Sequence, residues 1–190
     1  MLTFDQNIEG IYRDSFPVCW KAIKFGAEGG YTARATLKNQ IAFGKPQVDG
    51  GVIVGASVYI FVGPGQQTTL TKDSSNAYHF STPVAAELPG MKNGCPEPED
   101  VAVGLADSNS GAPPVPVLYF SGVAPQAVLN PQFNLTLRAY ITENYREGEI
   151  IRGQVSSPVI WEYNLVRLRE STTWALTYDP ATGQYRLTQE

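Results

Sequence analysis

Turn-forming residues interrupt this chain so often that long helices have no room. Gly29-Gly30, Asp49-Gly50-Gly51, Gly63-Pro64-Gly65, Pro89-Gly90, Asn93-Gly94 and Gly122 each break the sequence where a turn would. The runs between them have strand length. Residues 133–141 alternate with period two, which places Phe133, Leu135, Leu137, Ala139 and Ile141 on one face and Asn134, Thr136, Arg138 and Tyr140 on the other. Residues 31–37 alternate in the same way. Residues 52–62 are nearly all apolar, as in a strand covered on both sides. Residues 18–25, 101–106, 115–120, 159–168 and 173–178 complete the main strand set, with 68–71 and 78–81 as shorter members. Tyr178-Asp179-Pro180-Ala181-Thr182-Gly183-Gln184-Tyr185 reads as a hairpin, with Trp174, Leu176 and Tyr178 facing Tyr185 and Leu187.

Helical signals are sparse. Pro96-Glu97-Pro98-Glu99-Asp100 would open one short helix, and residues 5–12 one or two turns. With 190 residues and 21 aromatics (3 Trp, 10 Tyr, 8 Phe), the chain can bury a core without a metal or disulfide. These features predict an all-β fold with little helix. We expect one domain spanning residues 1–190, a two-sheet antiparallel β-sandwich of jelly-roll type.

Charge narrows the function. Acids outnumber Lys and Arg by 18 to 14, which argues against nucleic acid as the main partner. Residues 51–135 hold only two cations, Lys72 and Lys92, and six acids. So neutral a segment is weakly protected against self-association and resembles an interaction surface. No secretory signal or transmembrane run is visible, so the expected location is cytoplasmic or that of a mature exported protein.

Catalytic motifs are scarce. His79 is the only histidine and lies on an expected strand, so a His-based triad or zinc site has little to work with. Glu143, Glu147 and Glu149 read as a charged turn, and Asp107-Ser108-Asn109-Ser110-Gly111 lacks the distal acid of a calcium loop. Arg167 and Arg169 would pair with Glu162 and Glu170 along a strand. The chain is expected to be non-enzymatic, without metal or cofactor. Cys19 and Cys95 have no metal-ligand spacing; Cys95, in the turn Asn93-Gly94-Cys95-Pro96, is expected to be exposed, and the two are candidate crosslinks.

The strongest residual signal is aromatic and amide content near the C-terminal strands. Sugars bind where an aromatic face meets C–H groups and neighbouring amides hold hydroxyls. Tyr140, Tyr145, Trp161 and Tyr163 are therefore candidate ligand contacts, with Trp20, Trp161 and Trp174 also candidates for the core. The leading expectation is a lectin-like carbohydrate-binding module. The alternative is a structural subunit that self-assembles into a shell, filament or crystalline body, with disulfide links. Gly29-Gly30-Tyr31-Thr32-Ala33-Arg34-Ala35 resembles a strand opening in membrane-binding β-sandwich domains of bacterial cytolysins. Their Trp-rich membrane loop is missing here, and no function carries across.

Overall fold

The computed structural model describes the chain apart from residues 5–7, 9, 26–31, 39, 108–110, 132–134 and 170. Fifteen strands follow in order: β1 (Leu2–Thr3), β2 (Ser15–Pro17), β3 (Gln40–Asp49), β4 (Val52–Phe61), β5 (Gln66–Lys72), β6 (Tyr78–Phe80), β7 (Val84–Ala85), β8 (Gly90–Asn93), β9 (Glu99–Ala106), β10 (Val115–Val123), β11 (Val128–Leu129), β12 (Thr136–Tyr140), β13 (Val159–Asn164), β14 (Trp174–Asp179) and β15 (Gln184–Gln189). The one helical element described is a 3-10 turn, Leu165–Arg167. The all-β expectation holds. The short helix expected at Pro96 does not form: residues 95–97 make a bend that leads into β9. No described helix is long and apolar enough to cross a membrane.

The strands form four hydrogen-bonded sheets. One five-stranded sheet has the order β2-β10-β9-β3-β4, all antiparallel. A second has the order β11-β8-β5-β6, with β7 also on β5, and its β5–β8 pairing is parallel. A small sheet runs β1-β12-β13, and β14 pairs only with β15. One core cluster draws on the first three sheets: Phe43, Val101, Val103 and Leu118 from the first five-stranded sheet, Leu70 and Met91 from the second, and Leu137 from the small sheet. Each such side chain contributes about 1.5–3 kcal/mol when fully buried. A polar bridge joins the two larger sheets. Lys45 Nζ lies 2.6 Å from Glu99 Oε2, the Tyr78 hydroxyl donates to the same oxygen at 2.9 Å, and the Lys45 ammonium sits 4.8 Å from the centroid of the Tyr78 ring. Pairing of all three groups is what makes this burial of charge tolerable.

Several local expectations are corrected. β3 was not anticipated, because Gly44, Lys45 and Pro46 break its pattern. Pro46 fits because it lies at a register shift, where Ser57 of β4 is the extra residue. Residues 32–38 adopt no regular structure; their alternating apolar positions are mainly alanines, too small to anchor a strand. Tyr31 lies outside the described residues, as do Gly29 and Gly30. Residues 18–25 contribute isolated bridges at Val18 and Lys21 rather than a strand. β4 is not covered on both faces: only Ile53 is buried and Val54 and Ser57 are exposed, and the strand forms the edge of its sheet. β13 stops at Asn164, whose side chain accepts from the Val166 N–H and starts the 3-10 turn, so Arg167 does not alternate with Arg169 on a strand. Glu162 pairs instead with Arg138.

Cys95 is the largest correction: it is buried, only 1% exposed, and free. The reason is Asn93, itself buried. Its Oδ1 accepts the Cys95 N–H at 2.9 Å, while its Nδ2 donates to the carbonyls of Glu97 and Val123. The turn is thereby folded inward. Gly94 lies so close to β5 that a Cβ there would fall 2.7 Å from Thr69 Cγ2. Cys19 is also buried and free, packed with Tyr140, Ile151 and Val155. Neither of the two candidate crosslinks is at the surface. Burial pushes the Cys19 thiol up to about 12 and raises that of Cys95.

Candidate functional site

Strand alternation places Arg138 and Tyr140 on one face of β12, and the core holds that register because Leu137 and Ala139 are buried from the opposite face. Arg138 stands directly across from Glu162 of β13, and its Nε donates to Glu162 Oε2 at 2.9 Å. Tyr140 packs against Ile151 and Val155 and is only 4% exposed. Val155 anchors the segment that carries Gln154, Ser156 and Ser157. These residues line a half-open concavity of about 570 Å³. Ile8, Ile11 and Tyr12 close its other wall. Tyr12 holds φ +63°, a left-handed conformation that side chains other than glycine rarely adopt, with its N–H donating to Ser15 O at 2.7 Å.

The pocket has the size of a small-molecule site. Its wall combines apolar and aromatic surface from Ile11 and Tyr12, backed by the buried Tyr140, with a guanidinium, an amide and two hydroxyls. That mixture can both donate to and accept from a ligand rich in hydroxyls. Ser156 and Ser157 have no histidine beside them: His79 is on β6, exposed, with Nε2 2.8 Å from Asp73 Oδ2. Asp73 itself is held well below the usual carboxylate range by the Ser75 hydroxyl, then His79 and the Ala77 N–H. Among the described residues no three His, Cys, Asp or Glu side chains cluster as a metal site would require. A second, smaller concavity of about 270 Å³ on the outer face of the first five-stranded sheet is floored by Gly44, Gly55, Ala56 and Gly104, with Glu147 as its charged residue.

The four aromatic candidates do not converge. Tyr140 lines the pocket, and Tyr145 packs half-buried against the Cys19 cluster nearby. Trp161 and Tyr163 stand opposite Ala139 and Leu137 in the ladder, so they occupy the other face of the small sheet. There they stack with ring centroids 5.7 Å apart and planes 10° apart. Trp174 of β14 meets both edge-on, at 5.0 and 5.3 Å. These three rings attach the C-terminal hairpin to the body. Gln154, Ser156, Ser157 and Tyr12 were not anticipated; the first three share only the signal of a polar, Gly- and Pro-bounded stretch before β13, and nothing near Tyr12 marks it.

The acidic cluster is structural. Glu147 pairs with Lys21 at 3.2 Å and Glu149 caps the Arg146 N–H at 2.9 Å. Asp107 lies 3.7 Å from Lys38, while Asn109 falls outside the described residues. No known family, characterised protein or solved structure matches the chain.

Proposed function

We propose that this chain is a non-enzymatic interaction protein that binds carbohydrate in the pocket formed by β12, residues 154–158 and Tyr12. One observation carries the reading: a concavity of about 570 Å³ that sets aromatic surface beside guanidinium, amide and hydroxyl groups. Monosaccharides present the same two requirements, an apolar C–H face and a ring of hydroxyls. The two five-stranded sheets feeding one core support a jelly-roll-like sandwich as the scaffold. Of the four nominated aromatics, Tyr140 stays in the proposal as the buried backing of the pocket wall, with Tyr145 packed beside it. Trp161 and Tyr163 would report on the site only indirectly, from behind the sheet.

Calorimetric titration with neutral and acidic monosaccharides tests the reading. Millimolar binding is expected, with Gln154→Ala weakening it at least tenfold while the melting temperature stays unchanged, since Gln154 is exposed. No heat with any sugar would end it. A self-assembling subunit is the second reading, favoured by the neutral segment 51–135; burial of both thiols means that such contacts would be non-covalent.

A further inference from the structure

β4 is a ten-residue edge strand without a single charge: Val-Ile-Val-Gly-Ala-Ser-Val-Tyr-Ile-Phe. Other edges are shorter. β2 and β6 have three residues each and β11 two, and β13 has six with Glu162 among them. Long, apolar, uncharged edges invite pairing with another strand, and proteins usually blunt them with charge, proline or bulges. β4 has bulges, at Val54 and Ser57, but both lie before Val58. Val58–Phe61 remains regular, opposite Lys45, Gly44, Phe43 and Ala42.

The direction of the free backbone groups follows from one bond. Val62 N–H donates to Ile41 O at 3.1 Å, so residue 62 points its hydrogen-bonding groups toward β3. By antiparallel alternation Ile60 and Val58 do the same, and Tyr59 and Phe61 point theirs away from the sheet. The start of the strand is covered, because Ile53 N–H donates to Gly148 O. Among the described residues nothing hydrogen-bonds the outward groups of Tyr59 and Phe61.

We propose that β4 pairs antiparallel with β4 of a second copy of this chain about a two-fold axis at Ile60. The face rule, together with pairing of the outward groups of both Tyr59 and Phe61, selects this register. A two-fold axis perpendicular to the sheet keeps outer side chains outer, so opposed residues must have the same parity, and Ile60 opposite Ile60 satisfies that. Tyr59 then lies opposite Phe61 of the second copy, and the two exchange both hydrogen bonds; the symmetric pair does the same. All four free groups are satisfied. Tyr59 and Phe61, already edge-to-face at 5.9 Å within one chain, become half of a four-ring cluster. No like charges oppose each other, because the strand has none. The pairing does not depend on the sugar pocket, and it would give a binder with two such sites.

The interface is one strand wide, so sedimentation is followed from about 1 μM to about 1 mM, the range of weak reversible dimers. The expected result is a concentration-dependent dimer in which the Tyr59 and Phe61 amides, fast to exchange in the monomer, become protected. A double variant, Tyr59→Lys with Phe61→Lys, should weaken the dimer at least tenfold, and so should Tyr59→Glu with Phe61→Glu. An equal mixture of the two should pair again. A monomer across the whole range would overturn the proposal, as would a dimer whose Tyr59 and Phe61 amides still exchange freely. Because the amide readout uses the unmodified protein, the proposal stays testable even if the charged variants misfold.

Discussion

β9 and the β14–β15 hairpin obey the same pairing rules yet are held by different forces. In β9 every residue but Asp100 is buried, flanked by β10 and β3. In the hairpin no residue is buried. Its register is nevertheless regular, with Leu176 opposite Leu187 and Tyr178 opposite Tyr185. Gly183 at φ +69° and the Asp179 side chain, which accepts from the Ala181 N–H and the Thr182 hydroxyl, close the turn. A two-stranded ribbon alone is marginal in water. What holds it to the body is Trp174 against Trp161 and Tyr163, while toward the tip Tyr178 remains 54% exposed. Local pairing chemistry is thus enough to define a strand's register, but burial decides how much the strand contributes to stability.

Three perturbations separate these contributions. The largest should come from Leu118→Ala in β10, which hollows the core between the sheets. A loss of about 3 kcal/mol is expected for a buried leucine, read from the midpoint of urea unfolding. A loss under about 1 kcal/mol would mean that this sheet is not the cooperative centre. Trp174→Ala should be smaller, about 1–2 kcal/mol for two lost aromatic contacts, and confined to one region. Hydrogen exchange should speed up across residues 174–189 with β9 unchanged. Exchange rising in both would show that the hairpin belongs to the core's cooperative unit.

The third effect is one of pH and is confined to the alkaline limb. Burial, then the hydrogen bond from its hydroxyl to Asp100 Oδ2 at 2.6 Å, pushes Tyr119 up to about 12 from an ordinary value of 10.0. The unfolded chain ionises first. Stability from this group is therefore complete below pH 10 and falls as pH rises from about 10 to about 12. Tyr119→Phe should flatten that decline relative to the parent protein. Identical alkaline slopes in the two would show that the burial of Tyr119 does not govern this limb.

Legibility differed from place to place for physical reasons. Alternation in residues 133–141 placed Arg138 and Tyr140 together on one face, and they line the pocket. The same rule separates Tyr140 from Trp161 and Tyr163, because their cross-strand partners sit on the opposite face; composition alone had grouped all four. Cys95 looked exposed because its neighbours are turn formers. Only the satisfied bonds of Asn93 show the turn facing inward. β4 looked like a doubly covered strand because its composition is that of one. Its faces are only partly covered and it lies at the edge of its sheet, and no local pattern reports either.

By itself the sequence determined the all-β class, the hairpin at Asp179–Gln184 and the two faces of β12, because turn conformations and side-chain alternation depend on residues a few positions apart. Tertiary structure alone decided that β3 is central, that β4 is an edge, that both thiols are buried, and that a pocket opens between β12 and residues 154–158. Each depends on which distant strands meet, and in a sheet that choice belongs to pairing across the whole chain rather than to any one segment.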